Sequence, residues 1–168
     1  MEKTLTTNIL ILSTDNAARS IIAEGMLNHL ASLQQKDVLA FSGGASHSGH
    51  VDPFALEVLS NAGAEVGAYR NKSWNELTHH DIPDMRIAIT VSDRDIHKLA
   101  PHWPGDPIVV HWPYPDLSGA FDNEKAKRDM FELTRQAMAY RFAQLLALPL
   151  DTISGPELKK ALAFIGAS

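Results

Sequence analysis

The sequence contains no cysteine among its 168 residues. This absence excludes disulfides, thiolate metal sites and any reaction that uses a protein thiol as nucleophile or electron donor. An excess of positive charge is also missing, because 15 lysine and arginine residues face 20 aspartate and glutamate residues, for a net charge of −5. Since nucleic acids and anionic membranes bind basic surfaces, neither is an expected partner.

Long apolar runs are absent as well. No stretch approaches the roughly 18 apolar residues that a membrane-spanning helix requires. The apolar run Ile9–Leu12 is too short for a secretory signal, so we expect a cytoplasmic protein. The length and the 45% hydrophobic content are typical of one globular domain. We expect that domain to span residues 1–168, with a short helical extension at residues 149–168.

Apolar runs alternate with helical patterns along the chain. Four runs predict buried strands, at residues 8–12, 38–41, 86–91 and 108–111. Helices are predicted after the first strand, from Asp52-Pro53 to Asn61, from about Asn123 to Leu146, and from Pro156 to Phe164. The alternation predicts a three-layer α/β fold, with a four-stranded parallel sheet and helices on both faces.

The spacing of apolar residues also predicts which helix faces lie inward. In the first helix these residues are Ile22, Met26, Leu30 and Leu33. In the long helix they are Met130, Leu133, Ala137, Tyr140 and Leu145.

Ligands of parallel sheets bind beyond the carboxyl ends of the strands. The segments that follow the predicted strands are residues 13–20, 42–51, 92–99 and 111–119. The first of these joins a strand to a helix, so its N–H groups and the helix N-terminus suit an oxyanion. Arg19 adds a planar set of donors for phosphate-like oxygens. The alternative is an ordinary turn whose arginine points into solvent.

The segment "LSTDNAARSIIAE" (residues 12–24) resembles the signature of low-molecular-weight protein tyrosine phosphatases and the related thiol-dependent arsenate reductases. That signature is a cysteine, five residues and then Arg-Ser, with an asparagine three positions after the cysteine. Asn16, Arg19 and Ser20 match it in register, as does the Ala23-Glu24 pair. Further similar segments are "FSGG" (41–44), "PFALEV" (53–58), "RNKS" (70–73), "ITVSD" (89–93), "HWPYPD" (111–116) and "LALPLDTIS" (146–154), several of which resemble the arsenate-reductase branch.

The departures from the family pattern concern its chemistry. Ser13 stands at the position of the nucleophilic cysteine, and Ser92 and Ala100 stand where the reductase branch has its two further cysteines. Asp15 replaces a glycine and brings negative charge to the loop. Asp116 matches the family's general acid, although Leu117 replaces the proline that follows it.

The resemblance implies an anion-binding loop with support from Ser42. The predicted loop residues are Ser13, Thr14, Asp15, Asn16, Ala17, Ala18, Arg19 and Ser20. We expect Asn16 at positive φ, held by hydrogen bonds from Ser20 and Ser42, because asparagine tolerates that region.

Arsenate reduction by the family route is excluded, because it takes two electrons from protein thiols. A serine nucleophile normally needs an adjacent base. His47 and His50 could approach Ser13, but we expect both to be solvated loop residues. The eight histidines lack the spacing of helical zinc motifs, so neither a metal site nor a cofactor is expected. Trp103, Trp112 and Tyr114 are interpreted as packing residues rather than a ligand-binding wall.

The sequence therefore predicts a non-catalytic protein that binds a tetrahedral oxyanion (phosphate, sulfate or arsenate) or a phosphorylated protein. Two alternatives stay open. One is a weak phosphatase that uses Ser13, and the other is a scaffold whose anion loop is empty.

Overall fold

The computed structural model describes residues 6–46, 49–67, 69–79 and 81–168. Its centre is a four-stranded parallel sheet in the order β2-β1-β3-β4. The strands are β1 (Thr7–Ser13), β2 (Val38–Gly44), β3 (Ile87–Thr90) and β4 (Ile108–His111). The predicted α/β fold with a four-stranded parallel sheet is confirmed.

Four α-helices connect or follow these strands. They are α1 (Arg19–Leu33), α2 (Pro53–Asn61), α3 (Glu124–Leu146) and α4 (Gly155–Gly166). Three of them begin with a side-chain cap, since Asp52, Asn123 and Ser154 each accept a hydrogen bond from a backbone N–H of the first turn. The helix α1 has no such cap and begins directly from the loop that follows β1.

The sheet is covered differently on its two faces. Ile9 and Ile11 of β1 belong to the larger apolar core, which the four α-helices complete. Leu10 and Leu12 point to the opposite face, where Trp74 and Trp103 help to form a smaller core. That face is covered by two 3-10 helices, Trp74–Thr78 and His97–Leu99, and by irregular chain. Because both faces are covered, β1 is apolar throughout its centre.

The predicted inward face of the long helix is largely wrong. Leu133 and Tyr140 are 59% and 63% exposed, whereas Phe131 and Phe142 are fully buried. Two apolar stripes of helical period run along α3, and the contacts with α1, α2 and α4 decide which one is buried. Leu33, at the end of α1, is likewise 68% exposed, because Ala31 rather than Leu33 faces the core in that turn.

Candidate functional site

The loop of residues 13–20 lies at the carboxyl edge of the sheet, between the end of β1 and the start of α1. The neighbouring strands hold it in place, because the Ala45 N–H donates to the Ser13 carbonyl over 3.1 Å and the Ser46 N–H donates to the Thr14 carbonyl over 2.8 Å. Gly44 lies directly beneath it. A Cβ atom on Gly44 would come within 2.8 Å of the Asn16 nitrogen, so this close approach requires glycine.

Asn16 organises the loop from within. Its φ is +54°, as predicted, and its side chain is fully buried. The Asn16 Nδ2 donates to Ser20 Oγ over 2.6 Å and to Ser42 Oγ over 3.1 Å. The predicted supports of Asn16 are therefore confirmed. The Asn16 Oδ1 also accepts from the Lys72 N–H at 2.9 Å.

Asn71 is a support that the sequence analysis did not identify. Its Nδ2 donates to the backbone carbonyls of Asp15 and Asn16 over 2.9 and 3.0 Å. The only sequence signal was the similarity of residues 70–73 to a family segment. That similarity does not indicate which side chain in the segment has a function. Asn71 binds the outer side of the same turn that Ser20 and Ser42 bind from inside.

Ser13 occupies the floor of the loop. Its hydroxyl is fully buried, lies 2.6 Å from Ser20 Oγ and accepts the Asn16 N–H at 3.0 Å. No histidine or carboxylate is bonded to Ser13 Oγ in the part of the chain that the structure describes. His47, one of the two histidines considered as a base, lies outside that part. Since a serine hydroxyl needs a base to become a strong nucleophile, this geometry does not activate Ser13.

The N–H groups of the loop divide into two sets. Three already have side-chain acceptors: Thr14 donates to Ser92 Oγ, Asn16 to Ser13 Oγ, and Ala17 to Asp15 Oδ1. Among the described residues, no acceptor meets the N–H groups of Asp15, Ala18, Arg19 and Ser20. These four groups cluster around the first turn of α1, where the helix dipole also favours an anion.

Arg19 does not point into solvent, so the ordinary-turn alternative is wrong on this point. The residue is only 5% exposed, and its Nη1 donates to Asp93 Oδ1 over 3.1 Å and to the Tyr114 carbonyl over 3.0 Å. The Arg19 guanidinium lowers the pKa of the Asp93 carboxyl below its ordinary value. Asp93 was not predicted as a site residue, although it directly follows Ser92 beyond the end of β3.

Asp116 lies near this group but makes no hydrogen bond to it. It accepts from the N–H and the hydroxyl of Ser118 at 2.9 and 2.7 Å. These two bonds, with a smaller effect of Arg19, lower the pKa of Asp116. A general acid must carry a proton near neutral pH, so this carboxyl caps its own loop and is poorly prepared for proton donation.

The two positions at which the reductase branch has further cysteines differ in their present roles. Ser92 Oγ is fully buried, accepts the Thr14 N–H at 2.8 Å and lies 3.0 Å from the Thr14 hydroxyl. It therefore supports the loop of residues 13–20. Ala100 follows the second 3-10 helix and packs against the smaller core, with no polar function.

A buried ion pair backs the loop. Ser42 Oγ donates to Glu24 Oε1 over 2.6 Å, and Lys72 Nζ lies 3.9 Å from the same oxygen. Burial raises the pKa of Glu24, while Lys72 and Ser42 lower it to a smaller extent. Burial also lowers the pKa of the Lys72 ammonium, against the opposing effect of Glu24. The Ala23-Glu24 pair of the signature is thus linked to Asn16 through Ser42.

Other side chains at this edge have structural partners. Trp112 and Tyr114 are 1% and 6% exposed and belong to the larger core, which supports their interpretation as packing residues. His111 Nδ1 lies 2.7 Å from Thr90 Oγ1, and His97 Nδ1 lies 2.7 Å from Asp95 Oδ1. Within residues 6–46, 49–67, 69–79 and 81–168, no three histidine or acidic side chains form a group that could hold a metal ion. None of the helices described is long and apolar enough to cross a membrane.

The sequence matches the family model of low molecular weight phosphotyrosine protein phosphatases over residues 8–106. The chain belongs to this family. The matched region contains the anion loop, Ser42, Lys72 and Asp93, and it ends before β4. No curated protein matches the sequence.

Solved structures of the low molecular weight phosphatase family and of arsenate reductases share the fold. An arsenate reductase from Archaeoglobus fulgidus is 21% identical, with a TM-score of 0.59 over 80% of this chain and 98% of that one. A low molecular weight protein tyrosine phosphatase from T. tengcongensis is 20% identical, with a TM-score of 0.65 over 83% of this chain and 97% of that one. A cysteine-to-serine mutant of the Bacillus subtilis YwlE arginine phosphatase, with a phosphorylated active-site serine, is 19% identical. It covers 83% of this chain and 93% of its own, with a TM-score of 0.63.

Proposed function

We propose that this chain is a non-catalytic member of the low molecular weight phosphatase family that binds a phosphate-like oxyanion at residues 13–20. The single observation that carries the proposal is the conformation of Asn16. Its positive φ and its buried bonds to Ser20 and Ser42 keep the loop wrapped although the nucleophilic cysteine is absent. The binding conformation is thus maintained by residues that do not take part in chemistry.

The donors for an anion are the N–H groups of Asp15, Ala18, Arg19 and Ser20, together with the Arg19 side chain. Backbone donors at a helix N-terminus bind phosphate without any contribution from the floor residue. A neutral hydroxyl at Ser13 also removes the charge repulsion that a thiolate would exert on an anion.

Two carboxylates oppose the anion. Asp93 already accepts from Arg19, and Asp15 is part of the loop itself. Each charge effect near a surface is on the order of 1 kcal/mol, so the opposing effects nearly cancel and we expect a dissociation constant of about 1 mM. Phosphate, sulfate and arsenate share the tetrahedral shape that the loop would accept, and a phosphorylated protein would present the same group.

Calorimetric and NMR titrations with inorganic phosphate, sulfate and arsenate test this proposal. We expect saturable binding, with amide shifts confined to residues 13–20, and loss of that binding in Arg19→Ala. The matched control is Arg128→Ala, because Arg128 lies on α3 and pairs with Glu57 at the surface. If the titration shifts no amide of the loop, the chain is a scaffold with an empty loop.

A weak phosphatase is the second candidate, and the phosphorylated serine in the YwlE mutant supports it. In that reaction the Ser13 Oγ–P bond would form, the P–O bond to the leaving alcohol would break, and the hydroxyl proton would pass to that alcohol. Water would then attack the phosphorus, break the Ser13 Oγ–P bond, return a proton to the serine and release inorganic phosphate. Intact mass spectrometry and assay of released phosphate after incubation with an aryl phosphate test these steps. One added phosphoryl group or released phosphate with the wild type, absent with Ser13→Ala, would establish Ser13 as a nucleophile. An unchanged mass with no released phosphate supports binding without turnover.

A further inference from the structure

We propose that helix α4 positions Arg19 for anion binding, although its own contacts are with α3 and β4. The connection runs from Gly166 through Trp112 and Tyr114 to Arg19. This inference rests on the proposed function only where it is tested by the affinity for phosphate. The positioning itself is a property of the unliganded protein.

The first step of the connection is the contact between α4 and Trp112. The Trp112 Nε1 donates to the Leu162 carbonyl of α4 over 3.3 Å, and the indole is 1% exposed. Gly166 completes the fit, because a Cβ atom on Gly166 would lie 2.5 Å from Trp112 Nε1 and 2.7 Å from Trp112 Cδ1. The indole therefore packs directly on the backbone of the last turn of α4.

The second step is Arg141 of α3, which joins α4 to both aromatic rings. Its Nη2 donates to the Gly166 carbonyl over 3.1 Å. The guanidinium carbon lies 5.9 Å from the Trp112 ring centre and 5.2 Å from the Tyr114 ring centre, within the range of cation–π attraction. Burial raises the pKa of the Tyr114 hydroxyl and the adjacent Arg141 guanidinium lowers it to a smaller extent, so packing and Arg141 determine where that ring lies.

The third step is the Tyr114 carbonyl. It accepts from Arg19 Nη1 at 3.0 Å, on the side of the backbone that faces the loop. Tyr114 follows Trp112 by two residues, across Pro113, whose ring restricts the backbone between them. A displacement of Trp112 therefore moves the acceptor that orients the guanidinium, while Asp93 holds the same nitrogen from the other side.

The matched pair Gly166→Ala and Gly155→Ala tests this connection. Both add one methyl group to α4, but a Cβ on Gly155 would meet no atom within 4 Å. Three quantities are measured for each variant: the dissociation constant for inorganic phosphate, the NMR resonance of the Arg19 Nε–H, and the urea unfolding midpoint. Arg141→Met is a milder third variant, because it removes the guanidinium without introducing a clash.

We expect Gly166→Ala and Arg141→Met to shift the Arg19 Nε–H resonance and to weaken phosphate binding by about fivefold. Gly155→Ala is expected to leave both the Arg19 resonance and the phosphate affinity unchanged. The proposal is overturned if the two variants lower the unfolding midpoint but leave the Arg19 resonance and the phosphate affinity at their wild-type values. Should Gly166→Ala fail to fold, Arg141→Met alone decides between these results. If the wild type binds no phosphate, the proposed function fails, and the Arg19 resonance still tests the positioning.

Discussion

Arg19 Nη1 lies 3.1 Å from Asp93 Oδ1, so the only arginine of the anion loop is already paired with a carboxylate of the same chain. The Asp93 side chain is 58% exposed, whereas that of Arg19 is 6% exposed. In the proposed function, an incoming oxyanion would therefore compete with a solvated carboxylate for a buried guanidinium. We therefore expect Asp93 to affect the affinity for an oxyanion.

Asp93→Asn is expected to tighten phosphate binding by roughly threefold, because it removes a competing charge at the surface. The low pKa of Asp93 keeps the carboxylate ionised across the neutral range, so the effect measured with sulfate, which remains a dianion there, should not vary between about pH 6 and pH 8. Calorimetric titration measures it. Asp95→Asn is the control, since Asp95 is a nearby exposed carboxylate that pairs with His97. Weaker binding in Asp93→Asn would mean that Asp93 orients Arg19 instead of competing with the ligand.

Asp15→Gly and Asp15→Asn separate the two effects of Asp15. Its carboxylate brings negative charge to the loop, and its Oδ1 also accepts the Ala17 N–H at 3.2 Å. Asparagine removes the charge but retains an acceptor, while glycine also releases the Ala17 N–H for the ligand. We expect phosphate affinity to rise in the order Asp, Asn, Gly, as followed by NMR titration. Equal affinities in all three proteins would show that the Asp15 carboxylate lies too far from the bound anion to affect it.

Asn16→Ala should lower the free energy of unfolding by about 4 kcal/mol in all, of which about 3 kcal/mol comes from the loss of three side-chain hydrogen bonds worth about 1 kcal/mol each. The positive φ of this position adds to the cost for alanine, at about 1 kcal/mol. Asn16→Gly loses the same bonds but adopts that φ freely, so we expect it to be the more stable of the two variants. Urea unfolding measures both. Identical stabilities would indicate that the loop has left the left-handed conformation in both variants.

Restoring the nucleophile tests whether the loop kept its catalytic geometry. We expect the double variant Ser13→Cys with Asp15→Gly to hydrolyse an aryl phosphate, because the loop donors and Arg19 lower the pKa of a thiol at that position. The control adds Arg19→Ala to the same double variant. Release of the aryl alcohol by the double variant, and not by the triple variant, is the expected result. Inactivity of a folded double variant would show that the loop geometry itself has changed.

Glu24→Gln is expected to become more stable relative to the wild type as the pH rises. Burial raises the pKa of Glu24 above its ordinary value of 4.5, so the folded wild type binds the Glu24 proton more tightly than the unfolded chain does. Its contribution to stability is complete below the ordinary pKa and is lost as the pH rises through the raised value. Glutamine has no such loss. Urea unfolding between about pH 4 and pH 8 measures the difference, and a difference that is independent of pH would contradict the assignment.

Much of the fold could be predicted from the sequence. The run Ile9–Leu12 is a buried strand because both faces of the sheet are covered. A strand covered on both faces is apolar at every position, so the sequence pattern predicts its burial. The starts of two helices were also predicted, since Asp52 and Asn123 cap the N-termini of α2 and α3. The inward face of α3 could not be predicted, because two apolar stripes of the same period compete and only contacts with other helices choose between them.

In the candidate site, too, some residues could be predicted from the sequence and others could not. Asn16, Ser20 and Ser42 were predicted to support the loop, because the family resemblance implies these contacts and asparagine tolerates a positive φ. Asp93, Asn71 and the Tyr114 carbonyl were missed. Each is distant from the loop in sequence: Asp93 and Tyr114 follow the ends of β3 and β4, whereas Asn71 lies between α2 and the first 3-10 helix. A backbone carbonyl, moreover, is present in every residue type, so the sequence does not indicate which one accepts a bond.

The sequence by itself determined the chemistry that this protein lacks. A chain without cysteine has no thiol nucleophile and no thiol electron donor, whatever its fold. The resemblance of residues 12–24 to the family signature also indicated the positive φ of Asn16, although Asn71 and the Lys72 N–H, which hold the same turn, come from a distant segment. Only the tertiary structure decided the state of Arg19. The charge of a guanidinium is a property of its residue type, but its partners are whichever groups the ends of β3 and β4 bring within hydrogen-bond distance, and here these are the Asp93 carboxylate and the Tyr114 carbonyl.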